Sequence, residues 1–109
     1  MRSLLASVAL VAFAGVAGAK AQSYPTRAVT IVVPFAAGGP ADITARIVAD
    51  QFARALGQQF LVENVAGAGG TTGTMRAARA TPDGYTLALG HMGTHAAAVA
   101  LYPNLVDRL

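Results

Sequence analysis

Residues 30–46 read TIVVPFAAGGPADITAR, and this stretch decides the fold. An unbroken apolar run is followed by two small residues and a pair of glycines, and the residues after them have the period of a helix. A continuous apolar strand that leads directly into a helix is typical of a βαβ unit, whose strands are buried on both faces. The stretch therefore predicts an α/β fold, with a parallel sheet and flanking helices.

The turn between this strand and its helix favours the binding of a small anion. Gly38 and Gly39 carry no Cβ, so the backbone can approach a bound group closely. Pro40 suits the first helical position, and Asp42 lies in the first turn, where a carboxylate interacts favourably with the helix dipole. The free N–H groups of such a turn would point at a small anion. The residues alone leave open the alternative that this is an ordinary connection between a strand and a helix.

Residues 1–21 predict a secretory signal peptide. Arg2 supplies a positive start, an apolar segment follows, and Ala19-Lys20-Ala21 forms an A-x-A cleavage site. A membrane anchor or a core helix is the alternative, but the apolar run is shorter than the roughly 20 residues that a spanning helix needs. We expect cleavage after Ala21, with Ala19 as the alternative site, and a periplasmic mature chain of residues 22–109.

The composition excludes two further classes of protein. The 109 residues carry a formal charge of +3, and two of the eight basic residues, Arg2 and Lys20, lie in the predicted signal peptide. The remaining arginines are scattered along the chain, so no nucleic-acid partner is expected. The chain has no cysteine, which excludes a disulfide scaffold. A small buried core must therefore hold the exported chain together.

Three parallel strands are predicted, at residues 28–35, 60–63 and 85–89, each followed by a helix. Their polar or glycine-rich loops would then all lie at the carboxyl ends of the strands, where open α/β sheets bind ligands.

The first helix is expected to run from Ala41 to Leu56 and to end at Gly57. Its apolar face is predicted to carry four large side chains: Ile43, Ile47, Phe52 and Leu56.

A second glycine-rich loop, GAGGTTG at residues 67–73, suggests a dinucleotide site at first sight. Its spacing is G-x-G-x-x-x-G, and it follows the second strand of the unit instead of the first. Both features argue against a Rossmann fingerprint, so no cofactor is expected. The loop still predicts a second concavity rich in N–H and hydroxyl donors, at the start of a helix that spans about residues 72–80.

His91 and His95 are four residues apart, which raises the hypothesis of a zinc site. Gly93 between them weakens a helix, and no third ligand is evident, so we expect one loop histidine, one histidine at a helix start, and no metal. A catalytic serine is equally unconvincing, because Ser3 lies in the signal peptide and Ser23 precedes the first strand. The chain is therefore not expected to be an enzyme.

Several motifs occur in an order that carries a family resemblance. They are Tyr24-Pro25, Val33-Pro34-Phe35-x-x-Gly38-Gly39-x-x-Asp42, Leu56-Gly57-Gln58, Val62-Glu63-Asn64, Gly67-x-Gly69-Gly70, Pro82-Asp83-Gly84-Tyr85-Thr86-Leu87 and Gly93-Thr94-His95. With these motifs the chain resembles the N-terminal part of the Bug family, the substrate-binding proteins of tripartite tricarboxylate transporters.

The resemblance implies part of the first lobe of a type II periplasmic binding-protein fold, without the second lobe. It implies capture of a small carboxylated solute, which could be a tricarboxylate, a dicarboxylate, an acidic amino acid or an aromatic carboxylate, and partnership with the membrane subunits of such a transporter. The alternative is a truncated remnant that binds nothing. The ligand-binding residues that the resemblance implies are Phe35, Ala36, Ala37, Gly38, Gly39, Asp42, Gly69, Gly70, Thr71, Thr72, Gly73 and Thr94.

Overall fold

The computed structural model describes residues 21–102 and 104. All of the predicted signal peptide except its last residue, Ala21, therefore lies outside the described residues. The described chain forms a three-stranded sheet of β1 (Val29–Val33), β2 (Phe60–Asn64) and β3 (Thr86–Ala88). The strand order is β2-β1-β3, and both pairings are parallel. This confirms the predicted parallel sheet.

A helical segment follows each strand, as predicted. Helix α1 spans Pro40–Leu56, α2 spans Thr71–Ala78 and α3 spans Ala98–Leu101. A short 3-10 turn, Ala68–Gly70, precedes α2, and a π-helical turn, Gly93–Ala97, leads into α3. Gly57 ends α1 in the left-handed conformation, and its N–H donates to the Ala53 carbonyl. None of the helices in the described part of the chain combines the length and the apolar character needed to span a membrane.

The strand order makes the chain reverse its direction across the sheet. From β1 it crosses to β2 on one side, and from β2 it returns past β1 to β3 on the other side. Because such crossovers are nearly always right-handed, α1 and α2 cover opposite faces of the sheet. The chain thus changes direction at β1, between its two neighbours, and doubly wound sheets bind ligands in a crevice at such a point.

The core lies between β1, β2 and α1. Val29, Ile31 and Val33 project from β1 into one cluster with Phe60 of β2 and with alanines of α1. Val32, on the opposite face of β1, is also fully buried. Burial of β1 on both faces explains why its sequence is an unbroken apolar run.

The predicted apolar face of α1 is wrong for two of its four members, Ile43 and Ile47. Ile43 is 53% exposed and Ile47 is 60% exposed, whereas the buried positions of α1 are Asp42, Ala45 and Ala49. A helix advances by about 100° per residue, so Phe52 and Leu56 lie across the helix from the two isoleucines and cannot share a face with them. Small alanine side chains let the helix approach the sheet closely.

Candidate functional site

A crevice of about 470 Å³ lies between the loops after β1 and β3. Its lining residues are Phe35, Gly39, Pro40, Ala41, Thr44, Leu89, Gly90 and His91. The crevice therefore lies outside the carboxyl ends of the strands at the point where the chain reverses, which is the usual ligand position in this architecture.

The loop after β1 is held by the side chain of Asp42, which is only 3% exposed. One of its oxygens, Oδ2, accepts the Gly38 N–H at 2.8 Å and Nε of Arg46 at 3.1 Å. The other, Oδ1, accepts Nδ2 of Asn64 at 3.0 Å, and the same amide nitrogen donates to the Phe35 carbonyl at 3.1 Å. The network fixes the loop at both of its ends.

These donors also keep Asp42 ionised. The hydrogen bonds from Arg46, from the Gly38 N–H and from Asn64 lower the pKa of Asp42 from 3.8 to about 2. Hydrogen bonds to the charged form stabilise it in this way. The carboxylate points into the protein, so Asp42 shapes the loop from within.

Backbone donors of the first loop remain available. The Gly38 N–H is committed to Asp42, and the Gly39 N–H faces the Ala36 carbonyl across a tight turn without a well-aligned hydrogen bond. Among the described residues, the N–H groups of Ala36 and Ala37 donate to no protein acceptor. Ala36 and Ala37 are exposed, and Gly39 is half-buried on the wall of the crevice. The loop can therefore offer these N–H groups to an anion.

Gly70 is where the three loops meet. It has a left-handed φ of 95°, and a Cβ built on it would lie 2.6 Å from Cγ2 of Thr94 and 3.2 Å from Cζ of Phe35. Only a glycine leaves room for this contact. The structure thus brings together one predicted site residue from each loop.

Other predicted residues of the second loop make internal contacts. The Thr71 hydroxyl is buried and donates to the Ala68 carbonyl at 2.9 Å. A Cβ on Gly73 would fall 2.6 Å from Cα of Pro34, so Gly73 lets α2 pack against the end of β1. Gly69 and Thr72 are exposed. None of residues 69–73 is among the lining of the crevice, whereas Phe35 and Gly39 of the first loop are.

The Thr94 side chain stabilises the third loop through hydrogen bonds. It is 3% exposed, and its hydroxyl both accepts the His91 N–H and donates to the His91 carbonyl, at 3.1 Å each. The same Oγ1 lies 2.8 Å from Nδ1 of His95. Thr94 therefore shapes the loop that carries His91.

Sequence reasoning missed three residues of this site. Arg46 and Asn64 complete the Asp42 network, and His91 lines the crevice. The spacing of four between Asp42 and Arg46 was a usable signal, since such pairs are neighbours on a helix. Asn64 and His91 depend on contacts between distant parts of the chain. No cluster of three or more His, Cys, Asp or Glu side chains suited to a metal occurs among residues 21–102 and 104.

Comparison with known proteins gives matches along most of the chain. A family model described as the tripartite tricarboxylate transporter family receptor matches residues 44–108. The chain is 58% identical over 83 residues to a UPF0065 protein of Agrobacterium vitis from the TAR-I ttuE-ttuC' intergenic region, covering 76% of this chain and 24% of that protein. It is 40% identical over 108 residues to protein BugT of Bordetella pertussis, covering 96% and 33%. The chain thus spans about a quarter to a third of the length of these relatives.

Two solved structures are also similar to this chain. MatC from Rhodopseudomonas palustris with bound malate superposes with a TM-score of 0.72 at 56% identity, over 75% of this chain and 28% of MatC. A second R. palustris protein, solved with adipate, gives a TM-score of 0.63 at 40% identity, over 64% of this chain and 23% of its own.

Proposed function

This chain belongs to the tripartite tricarboxylate transporter receptor family, and from that premise we propose that it forms one wall of a periplasmic solute-binding site. The solute is a small carboxylate, captured for uptake by the membrane subunits of such a transporter. The ligands named for two of its structural neighbours, malate and adipate, are both dicarboxylates. The receptor character of the family also supports a role in binding without catalysis.

The observation that carries this proposal is the set of N–H groups in the first loop. Ala36 and Ala37 have free N–H groups, Gly39 lines the crevice, and all three residues lie just before a 17-residue helix. Hydrogen bonds from backbone amides to a carboxylate are charge-assisted, and the helix dipole adds to them. We assign one carboxylate of the solute to these amides.

The remaining predicted residues take three roles in this proposal. Phe35 supplies an apolar surface of the crevice, and Gly38 and Asp42 hold the first loop in shape. Gly70 and Thr94 let the loops meet. The second loop contributes donors from its exposed part, Gly69 and Thr72, while Thr71 and Gly73 set its conformation.

The residues that line the crevice indicate the polarity of the part of the solute that carries the carboxylate. Phe35, Pro40, Ala41 and Leu89 are apolar, and no lining residue is an acid, a lysine or an arginine. The ammonium group of an amino acid would find no acceptor carboxylate on this wall, and leaving a charge without a partner is costly. The wall therefore suits a dicarboxylate with a short hydrocarbon body or an aromatic carboxylate better than an acidic amino acid.

A titration followed by heteronuclear NMR tests the proposal. We expect malate or adipate to shift the amide signals of Ala36, Ala37 and Gly39 in the mature chain, residues 22–109. Gly39→Val should abolish these shifts, because its side chain would stand between the amides and the solute. Gly39 has an extended φ of −81° and ψ of 172°, which valine adopts readily, so the fold should survive.

Ala55→Val, at an exposed position near the other end of α1, is the matched control and should leave the shifts unchanged. If no first-loop amide responds even to solute at about 100 mM, far above a millimolar Kd, the proposed function is wrong and the remnant interpretation gains support.

A further inference from the structure

His91 lies on the rim of the crevice, in the loop between β3 and the π-helical turn. Its side chain is exposed, and the sequence alone assigns it no role beyond that of a loop histidine. Three contacts fix the position of its ring and the tautomer of its neutral form.

The first contact is with Phe35. The two rings are stacked, with centroids 4.9 Å apart and planes inclined by 13°. Phe35 itself is held on another side by the backbone of Gly70, where even a Cβ would come within 3.2 Å of its ring. The imidazole of His91 therefore lies against a supported surface, which reduces the entropy lost when a ligand orders it.

The second contact sets the tautomer. The Gly93 N–H donates to Nδ1 of His91 at 2.8 Å, so Nδ1 acts as an acceptor. In a neutral imidazole the other nitrogen then carries the proton. Nε2 of His91 is therefore an N–H donor, and among the described residues it donates to no protein acceptor.

The third contact is with Thr94, whose buried hydroxyl bonds both the N–H and the carbonyl of His91. The backbone that carries the ring is thus fixed as well. His91 combines a fixed backbone, a supported ring and one free donor, on the same crevice that Gly39 lines.

We propose that His91 is a ligand-contacting residue, whose Nε2–H donates a hydrogen bond to the carboxylated solute in this crevice. The inference rests on the proposed function, because it assumes that a carboxylate occupies the site. It adds a side-chain donor to the backbone donors of the first loop. The other polar side chain on the wall, Thr44, donates its hydroxyl to the Pro40 carbonyl.

His95 provides an internal contrast. Its Nδ1 lies 2.8 Å from the Thr94 hydroxyl, and its ring packs against Gly90, where no Cβ could fit. His95 is not among the residues that line the crevice. It supports the loop, and it should not respond to ligand as His91 does.

The test follows the imidazole nitrogens of the exported chain by NMR during titration with malate and with adipate. We expect the Nε2 signal of His91 to shift together with the Gly39 amide, while the His95 nitrogens stay in place. His91→Phe keeps an aromatic ring against Phe35 but removes the donor, and should raise the Kd by about fivefold or more, as expected for loss of a hydrogen bond to a charged group.

Two further variants separate the donor from the loop. Gly93→Ala would place a Cβ 2.6 Å from Cε1 of His91, so it should displace the ring and weaken binding to a similar extent. Ala55→Phe adds the same aromatic ring at an exposed position near the other end of α1 and is the control, expected to stay within about twofold of the original Kd.

The outcomes are distinguishable. A first-loop response with an unchanged His91 Nε2 signal, or an unaltered Kd in His91→Phe, would overturn the role of His91 and leave the proposed function standing. A wild-type chain whose first-loop amides do not respond at all would overturn both. If His91→Phe does not fold, the Nε2 signal of the wild-type chain decides.

Discussion

Asp42 is the residue on which the shape of the first loop depends, and its ionisation should make stability sensitive to acid. Its folded pKa is depressed from 3.8 to about 2, so its contribution is fully present above the higher value and is lost as the pH falls through the lower one. We expect the wild-type chain to be more stable than Asp42→Asn above pH 3.8, and the difference to fade towards pH 2.

Urea denaturation of both chains across this pH range measures the effect, and other carboxylates cancel in the difference. Asp50→Asn is the control, because Asp50 and Arg54 form an exposed ion pair at 3.0 Å, and such pairs contribute little. A difference between wild type and Asp42→Asn that does not change with pH would contradict the prediction.

Gly73 was predicted to contact the ligand, but its neighbours indicate a role in packing. Its built Cβ would lie 2.6 Å from both Cα of Pro34 and the Val65 carbonyl oxygen. We expect Gly73→Ala to lower the free energy of unfolding by about 1–3 kcal/mol through overpacking.

A Cβ added at Gly39 would lie 3.6 Å from its nearest neighbour, the Ala36 carbonyl oxygen. Gly39→Ala should therefore change the free energy of unfolding by no more than about 0.5 kcal/mol. Equal costs for the two substitutions, measured by chemical denaturation, would argue against the close packing of α2 on β1.

At the scale of elements, the strands could be predicted because their signal is local. The run from Val29 to Val33 is apolar throughout, and burial on both faces requires just that composition. Gly57 ended α1 where expected, since its left-handed φ of 72° suits glycine.

The face of α1 could be predicted only in part from its large side chains. Phe52 packs against Phe60, with ring centroids 5.3 Å apart, whereas Ile43 and Ile47 are exposed. Ala45 and Ala49 form the buried surface, and alanine carries little hydrophobic signal. Similarly, Asn64 reaches the Asp42 network only because the parallel register places it opposite Val33. Spacing within the sequence does not encode that register.

The corrected face of α1 leads to a prediction. Ile47→Gln should change the free energy of unfolding by no more than about 0.5 kcal/mol, because the side chain is largely exposed. Ala49→Leu should cost about 1–3 kcal/mol, because the added atoms have no space between α1 and the sheet. Thermal or chemical denaturation compares the two variants. A larger loss of unfolding free energy in Ile47→Gln than in Ala49→Leu would contradict the observed face and support the one predicted from the sequence.

At the scale of the whole molecule, the described chain presents one wall of the proposed site. The crevice is bounded by the loops after β1 and β3 and by the start of α1, and the chain matches 28% of the length of malate-bound MatC. On the side away from these loops the carboxylate would remain in contact with water. A hydrogen bond in such a site largely replaces one to solvent, so its net contribution is small.

This geometry predicts weak binding by the described chain alone. We expect a Kd no better than about 1 mM for organic acids, which corresponds to roughly 4 kcal/mol. Calorimetry and NMR titration against malate, adipate, an aromatic carboxylate and glutamate provide the measurement. A chimera in which this chain replaces the matching segment of MatC should bind tightly, because the rest of MatC would supply a second wall that excludes water. A micromolar complex formed by this chain without any addition would show instead that one wall is a complete binding module.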